Sequence, residues 1–369
     1  MSQDLTQITP YLQMVVDEGG SDLHIRSGDY AKVRVKGQLI PVSSHIVAAD
    51  EATAMIRNSM PADVLTQFEN TFDADYAISV DGIGRFRVNA FRSRGEDGVV
   101  LRLIGDEPMT LEQLGMPPVI EKLALKPRGL ILVTGPTGSG KTTTLAGMID
   151  AVNQSRAVHI LTLEDPIEVL HPSKTATVTQ RELGADTKTW PAALKGAMRQ
   201  DPDVILIGEM RDADTVQAAL SAAETGHAVF STLHTTDALE TIGRILDFFP
   251  ANEQTRVRAS LSTALQGIVC QRLIPRADGS GRVCAMEIAV NDARLSEAIA
   301  DPDKTDQIPE IVEAGKFTGA QSFDQDLLSL VVEGLVAPDT AIKSASNPHD
   351  FTVKLKRTGW KPERPGVTR

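Results

Sequence analysis

Residues 135–145, GPTGSGKTTTL, fit the spacing G-x-x-x-x-G-K-[ST] and directly follow an apolar run, GLILVTG. Gly135, Gly138 and Gly140 allow a loop whose backbone N–H groups turn inward on a phosphate, with Pro136, Thr137 and Ser139 between them. A helix starting after the loop adds the positive end of its dipole. Lys141 would reach the β- and γ-phosphates of ATP, and Thr142 would place its hydroxyl on Mg2+. Thr143 completes the nucleotide-binding set. This is the most specific chemical signal in the chain.

A loop of this kind is ordinarily answered by an Asp at the end of a second strand, where it holds the metal. Here that strand lies in DPDVILIGEMRD, and Gly208 stands in the place of the Asp. Two glutamates end apolar strands instead, Glu164 in HILTLEDPIEVL and Glu209 after VILIG. In a parallel sheet the C-terminal strand ends converge on the ligand crevice, so both should meet the phosphate loop. We assign Glu164 to polarising the attacking water and Glu209 to the Mg2+ shell. His234, after the run AVFSTL, falls at the same edge and is a candidate γ-phosphate sensor; His227 falls at the other end of that strand. Guanidinium groups able to meet transition-state charge are Arg199, Arg211 and Arg244, with Arg85, Arg87, Arg92 and Arg94 nearer the N-terminus. Alternation puts Arg85 and Arg87 on one strand face, where a solvated basic surface is the competing reading.

Around these residues the elements divide in two. Residues 3–18 have helical apolar spacing that stops at Gly19-Gly20. DLHIRSG and AKVRVKGQLIPV then alternate like strands, EATAMIRNSMPADVLTQF returns to helical spacing, and YAISV, GRFRVNAFR and GVVLRLIG are strands. Residues 1–105 thus form an α+β domain, and 106–118 a linker ending near a short helix. From 119 to 350 strands alternate with helices, which argues for an α/β, mostly parallel, doubly wound sheet with a helical C-terminal part. Residues 351–369 are expected to be a partly disordered tail.

With 369 residues two domains are expected. A net charge of −12 and only 4% aromatic residues argue against nucleic acid as a partner. No apolar run approaches the roughly 18 residues that span a bilayer, and the polar N-terminus lacks a signal sequence, so a cytoplasmic location is expected. Cys270 and Cys284 could face each other across a hairpin and are expected as reduced thiols.

The linked motifs, in order, are GGSDLHI, GIGRFRVNAF, GPTGSGKTTT, LTLEDPIEVLH, VTQREL, DPDVILIGEMRD and AAETGHAVFSTLHTTDA. From Gly19 to about Phe351 the chain resembles the PilT/PilU-type retraction ATPases of type IV pili, a branch of the secretion-ATPase superfamily. That resemblance implies a PAS-like N-terminal domain, a RecA-like ATPase domain and a homohexameric ring with ATP between subunits. It implies a role for both His227 and His234, and first-domain arginines reaching a neighbour's nucleotide. It also implies an inner-membrane, PilC-like platform protein as the partner that hydrolysis turns, with only peripheral membrane contact. Residues 293–308, ARLSEAIADPDKTDQI, lack both arginines of the AIRNLIRE helix of PilT-like members, and the ending SNPHDFTVKLKRTG is closer to PilU-like tails. An accessory motor that depends on a paralogous ATPase is therefore one alternative. A pilus-assembly or secretion ATPase is another, although the CxxC…CxxC insertion common in extension motors is missing. A P-loop small-molecule kinase would need neither the first domain nor an interfacial arginine.

Overall fold

The computed structural model describes residues 3–105 and 107–360, which divide into two units. The first takes residues up to 108 together with 166–171, and the second takes 109–165 and residues from 172 onward.

The first unit contains α1 (Thr9–Asp17), β1 (Asp22–Arg26), β2 (Tyr30–Val35), β3 (Gln38–Ile46), α2 (Ala49–Asn58), α3 (Ala62–Thr71), β4 (Asp73–Val80), β5 (Gly84–Ser93) and β6 (Glu96–Ile104). Its sheet is antiparallel, in the order β3-β2-β1-β6-β5-β4. Period-two alternation sends Leu23, Val33, Phe86, Val88 and Leu101 into a core with Leu12, Ile56 and Phe68 from the helices. The intervening residues, among them Lys32, Arg34, Arg85, Arg87 and Arg102, occupy the other face. Asp22 is buried there and accepts a 2.8 Å hydrogen bond from Arg102 Nε.

Two expected elements are each divided. AKVRVKGQLIPV is a hairpin, turning at Lys36 and Gly37, both at positive φ. EATAMIRNSMPADVLTQF is two helices, because Pro61 disfavours helical geometry at Met60 and lacks a donor of its own.

In the second unit the central strand sequences GLILVT, VILI and AVFSTL are nearly continuous apolar runs rather than alternations and are buried on both faces, whereas TVTQRE at one edge is polar. Its elements are α4 (Pro118–Ala124), β7 (Gly129–Thr134), α5 (Lys141–Ser155), β8 (His159–Glu164), β9 (Thr177–Glu182), α6 (Trp190–Ala197), β10 (Val204–Ile207), α7 (Ala213–Glu224) and β11 (Ala228–Leu233). There follow α8 (Ala238–Asp247), α9 (Ala251–Ala264), β12 (Leu265–Pro275), β13 (Arg282–Val290), α10 (Ala293–Ala300), α11 (Ile308–Ala314), α12 (Phe323–Val332), α13 (Pro338–Ser344) and α14 (Pro348–Arg357). Strand order is β13-β12-β7-β11-β10-β8-β9, parallel throughout except for the β12–β13 hairpin. Leu130, Leu132, Ile205 and Val229 pack with α7, α8 and α9, whereas Ile131, Val133, Leu206 and Phe230 pack with α4 and α5.

Two further expectations are corrected. The tail expected from residue 351 begins inside α14, whose Phe351 and Leu355 are fully buried against Phe323 and Leu327. The rest of that expectation, residues 361–369, lies outside the described residues. Cys270 and Cys284 do not face each other. The hairpin register sets Cys270 opposite Glu287 and Cys284 opposite Leu273, and that offset of three puts the thiols on opposite sheet faces. Both are free, and burial raises their pKa values, that of Cys284 to about 12. No helix among the described residues is long and apolar enough to cross a membrane.

Candidate active site

The phosphate loop joins β7 to α5. Gly138 and Gly140 have φ values of 78° and 92°, where a side chain would strain the backbone. Gly135, at φ 144°, is enforced by crowding: a Cβ there would lie 2.4 Å from the Gln271 carbonyl oxygen and 2.5 Å from Ser139 Oγ. Pro136, Thr137, Gly138, Thr142 and Thr143 are exposed along the rim, and Ser139 is buried. Lys141 Nζ donates to the carbonyl oxygens of Gly135 at 2.8 Å and Pro136 at 3.2 Å. A phosphate oxygen could replace either.

Glu164 ends β8. Its Oε1 accepts hydrogen bonds from Thr162 Oγ1 at 2.7 Å and Gln180 Nε2 at 3.2 Å. Thr162 shares its face by the two-residue period, a signal readable in the sequence. Gln180 is brought alongside only by the pairing of β9 with β8. Gly208 donates its N–H to Leu163 O at 2.8 Å. A Cβ on Gly208 would lie 3.3 Å from that oxygen and 4.0 Å from Glu164 Cγ. A carboxylate at 208 would therefore crowd Glu164 with like charge, which disfavours ionisation of both. The glycine leaves that space to Glu164.

Glu209 follows at once. Its Oε2 accepts from Arg211 Nε at 2.9 Å, and its Oε1 lies 3.3 Å from His234 Nε2. The Glu209 hydrogen bond is the main cause that raises the Arg211 pKa. β11 holds this turn through Ser231 Oγ on Ile207 O at 2.7 Å and Thr232 Oγ1 on Gly208 O at 2.6 Å. His234 lies in the turn between β11 and α8, at whose start the Asp237 side chain caps Glu240 N at 2.8 Å and Glu287 accepts from Ala238 N at 2.8 Å. Burial raises the pKa of Glu287.

Glu164 ends β8, and Glu209 follows the end of the neighbouring strand β10. The phosphate-loop strand is not beside them, because β11 separates β7 from β10. Glu164 consequently stands three strand spacings from β7, about 14 Å at the usual interval. A bound nucleotide must extend across β11 to meet both.

Other candidates fall elsewhere within the chain. His227 precedes β11, a strand of six residues that puts it about 20 Å from His234. Its Nδ1 is 2.9 Å from Ala222 O and 3.2 Å from Thr225 Oγ1. Arg199 follows α6 and precedes β10, at the same far edge. Neither joins the phosphate loop of its own chain, because a strand's two ends face opposite edges of the sheet. Arg244 lies over the Phe248 ring at 4.7 Å, and Arg92 pairs with Asp97 at 3.1 Å. Arg87, in the first unit, is 3.7 Å from Glu168, and Arg85 is on the same strand face.

Comparison with known proteins adds breadth to this geometry. Residues 4–325 match the family described as type II/IV secretion system protein. A type IV pilus retractation ATPase, PilT, from Pseudomonas aeruginosa is 43% identical, covering 93% of this chain and 99% of the relative. The type IV pilus ATPase PilU of the same species is 38% identical over 94% of this chain and 90% of its own. A crystal structure of the pilus retraction motor PilT with bound ADP superimposes with a TM-score of 0.87 at 40% identity, covering 93% of this chain and 98% of that one.

Proposed function

The chain belongs to the type II/IV secretion system protein family, in its PilT/PilU-type branch of retraction ATPases, and from that premise we propose that it hydrolyses ATP at the Gly135–Thr142 loop to power type IV pilus retraction. The observation that carries the chemistry is the placing of Lys141, Glu209, His234 and Glu164 along one edge of a parallel sheet.

On this reading Lys141 leaves the loop carbonyls for the β- and γ-phosphates. Glu164, held by Thr162 and Gln180, orients the attacking water and accepts its proton. His234 senses the γ-phosphate, and Arg211 steadies Glu209. The Thr142 hydroxyl and the Glu209 carboxylate are hard oxygen donors of the kind Mg2+ accepts, and they would hold the ion largely through water. When bound, Mg2+ would offset phosphate charge.

His227 and Arg199 can serve a nucleotide only if another copy supplies them, and on this reading Arg85 and Arg87 act in trans as well. That requirement supports ATP bound between subunits; the resemblance implies that the ring is a homohexamer and that the first unit is a PAS-like domain. Mixing R85A/R87A subunits with K141A subunits should then restore some active interfaces, and absence of rescue at every ratio would count against trans action. The further partner in this reading is an inner-membrane, PilC-like platform protein, touched from the cytoplasmic side, with membrane contact only peripheral.

A second reading, an accessory motor working beside a paralogous ATPase, is favoured by residues 293–308. There α10 buries Leu295, Ala298 and Ile299, while Glu297 and Asp301 surround Lys304. Deleting the gene should leave cells with excess surface pili and no twitching. Bald cells would overturn retraction in favour of assembly. Retained twitching in this deletion, together with loss of twitching when the paralogue alone is deleted, would identify the accessory role.

A further inference from the structure

Behind the phosphate loop, β12 runs parallel to β7 with Cys270 opposite Thr134. The next residue, Gln271, is 1% exposed. Its Nε2 donates to Thr144 Oγ1 at 2.7 Å and lies 3.3 Å from Cys284 Sγ. Its Oε1 is buried and has no hydrogen-bond partner among the described residues. A half-satisfied amide in a core is costly compared with an apolar side chain of similar size, so what its one strong hydrogen bond holds in place is the question.

Gln271 touches both ends of the loop. Its carbonyl oxygen occupies the space that a Cβ on Gly135 would enter, and its amide grips the first turn of α5 through Thr144. Thr144 is turned inward and buried, whereas Thr142 and Thr143 in the same turn are exposed. The bond therefore lies on the side of the helix away from the ligand. It ties α5 to the sheet just where the helix presents Lys141 and Thr142.

We propose that Gln271 is a positioning residue for nucleotide binding: it locks the first turn of α5 to β12, so that Lys141 and Thr142 keep their aim at the phosphates and metal. The proposal rests on the nucleotide-site reading above. Misplacement of about 1 Å at a binding group is enough to weaken a well-aligned site.

The test uses the 369-residue chain. Q271M keeps the length of the side chain and removes its amide, and T144V removes the accepting hydroxyl at nearly constant volume. Loss of one buried hydrogen bond should raise the KM for ATP, and the Kd of a fluorescent ADP analogue, about five- to tenfold. Turnover at saturation should fall by less than about threefold, because the water-directing Glu164 is untouched. The double variant should be no worse than Q271M, since both changes delete one interaction. An unchanged KM in Q271M overturns the proposal, as does an additive double variant. A lowered Tm with unchanged KM assigns Gln271 to packing and overturns it too. If Q271M does not fold, T144V decides alone by the same criterion. K141A separates the two levels. If K141A turns over normally, the nucleotide-site reading fails; if K141A is dead while Q271M and T144V bind ATP normally, only the positioning role fails.

Discussion

Strands β8, β10 and β11 carry ionisable groups at both ends, and the two edges of the sheet use them differently. At the N-terminal edge His159 meets Asp201 O at 3.2 Å and Thr179 Oγ1 at 2.9 Å, and Asp203 accepts from His159 N at 2.8 Å. His227 is tied to Ala222 O. These partners are mainly backbone groups, so they fix turns. At the C-terminal edge Glu209 is shared between Arg211 and His234, whose side chains are 60% and 50% exposed, and Lys141 rests on two loop carbonyls. Such contacts can be exchanged for a ligand at little cost. The difference teaches that an ionisable residue beside a strand is no guide to function until its edge and its partners are known. A parallel sheet makes its edges unequal because each C-terminal strand end opens towards the N-terminus of the next helix.

The comparison can be broken by substitution at either edge. The largest effect is expected for K141A, where hydrolysis should drop to background through loss of the phosphate-binding ammonium, as measured by phosphate release. E164Q should bind ATP normally while kcat falls by about 10²–10⁴-fold, the usual range for a lost general base. Equal losses of binding and turnover would move Glu164 to the metal shell. E209Q should raise the Mg2+ concentration for half-maximal activity by about tenfold, the scale of one charge-assisted contact. An unaltered Mg2+ titration would remove Glu209 from that role. The smallest effect belongs to the far edge: H159A should cost about 1 kcal/mol of stability in denaturant unfolding and leave kcat within about twofold. A kcat loss in H159A as deep as that in E164Q would erase the distinction between the edges.

The phosphate loop and its strand and helix were legible because the motif is local: glycines, lysine and threonine fall within eight residues. Glu164 and Glu209 were legible because each ends an apolar run. The turn at Lys36-Gly37 and the break before Pro61 went unread because a strand or helix period continues across both. The buried helix α14 was obscured by its polar neighbours, since Phe351 and Leu355 count as core only once Phe323 and Leu327 face them. Gln180 stood within VTQREL with no sign of its partner, and Gln271 carried no local signal at all. Each acts on a residue in another strand or helix, 16 and 127 positions away respectively.

What the chain of residues determined unaided was the inventory of parts: a phosphate-binding turn, two acidic strand ends, an alternating first domain and a parallel second one. Local sterics and apolar periodicity set those, and both are written in consecutive residues. Which parts meet was decided only by strand order and register. That order set β11 between the phosphate loop and the glutamates, and brought Gln271 behind Thr144. Pairing between distant strands depends on how whole faces bury against one another, and no short stretch of sequence encodes that.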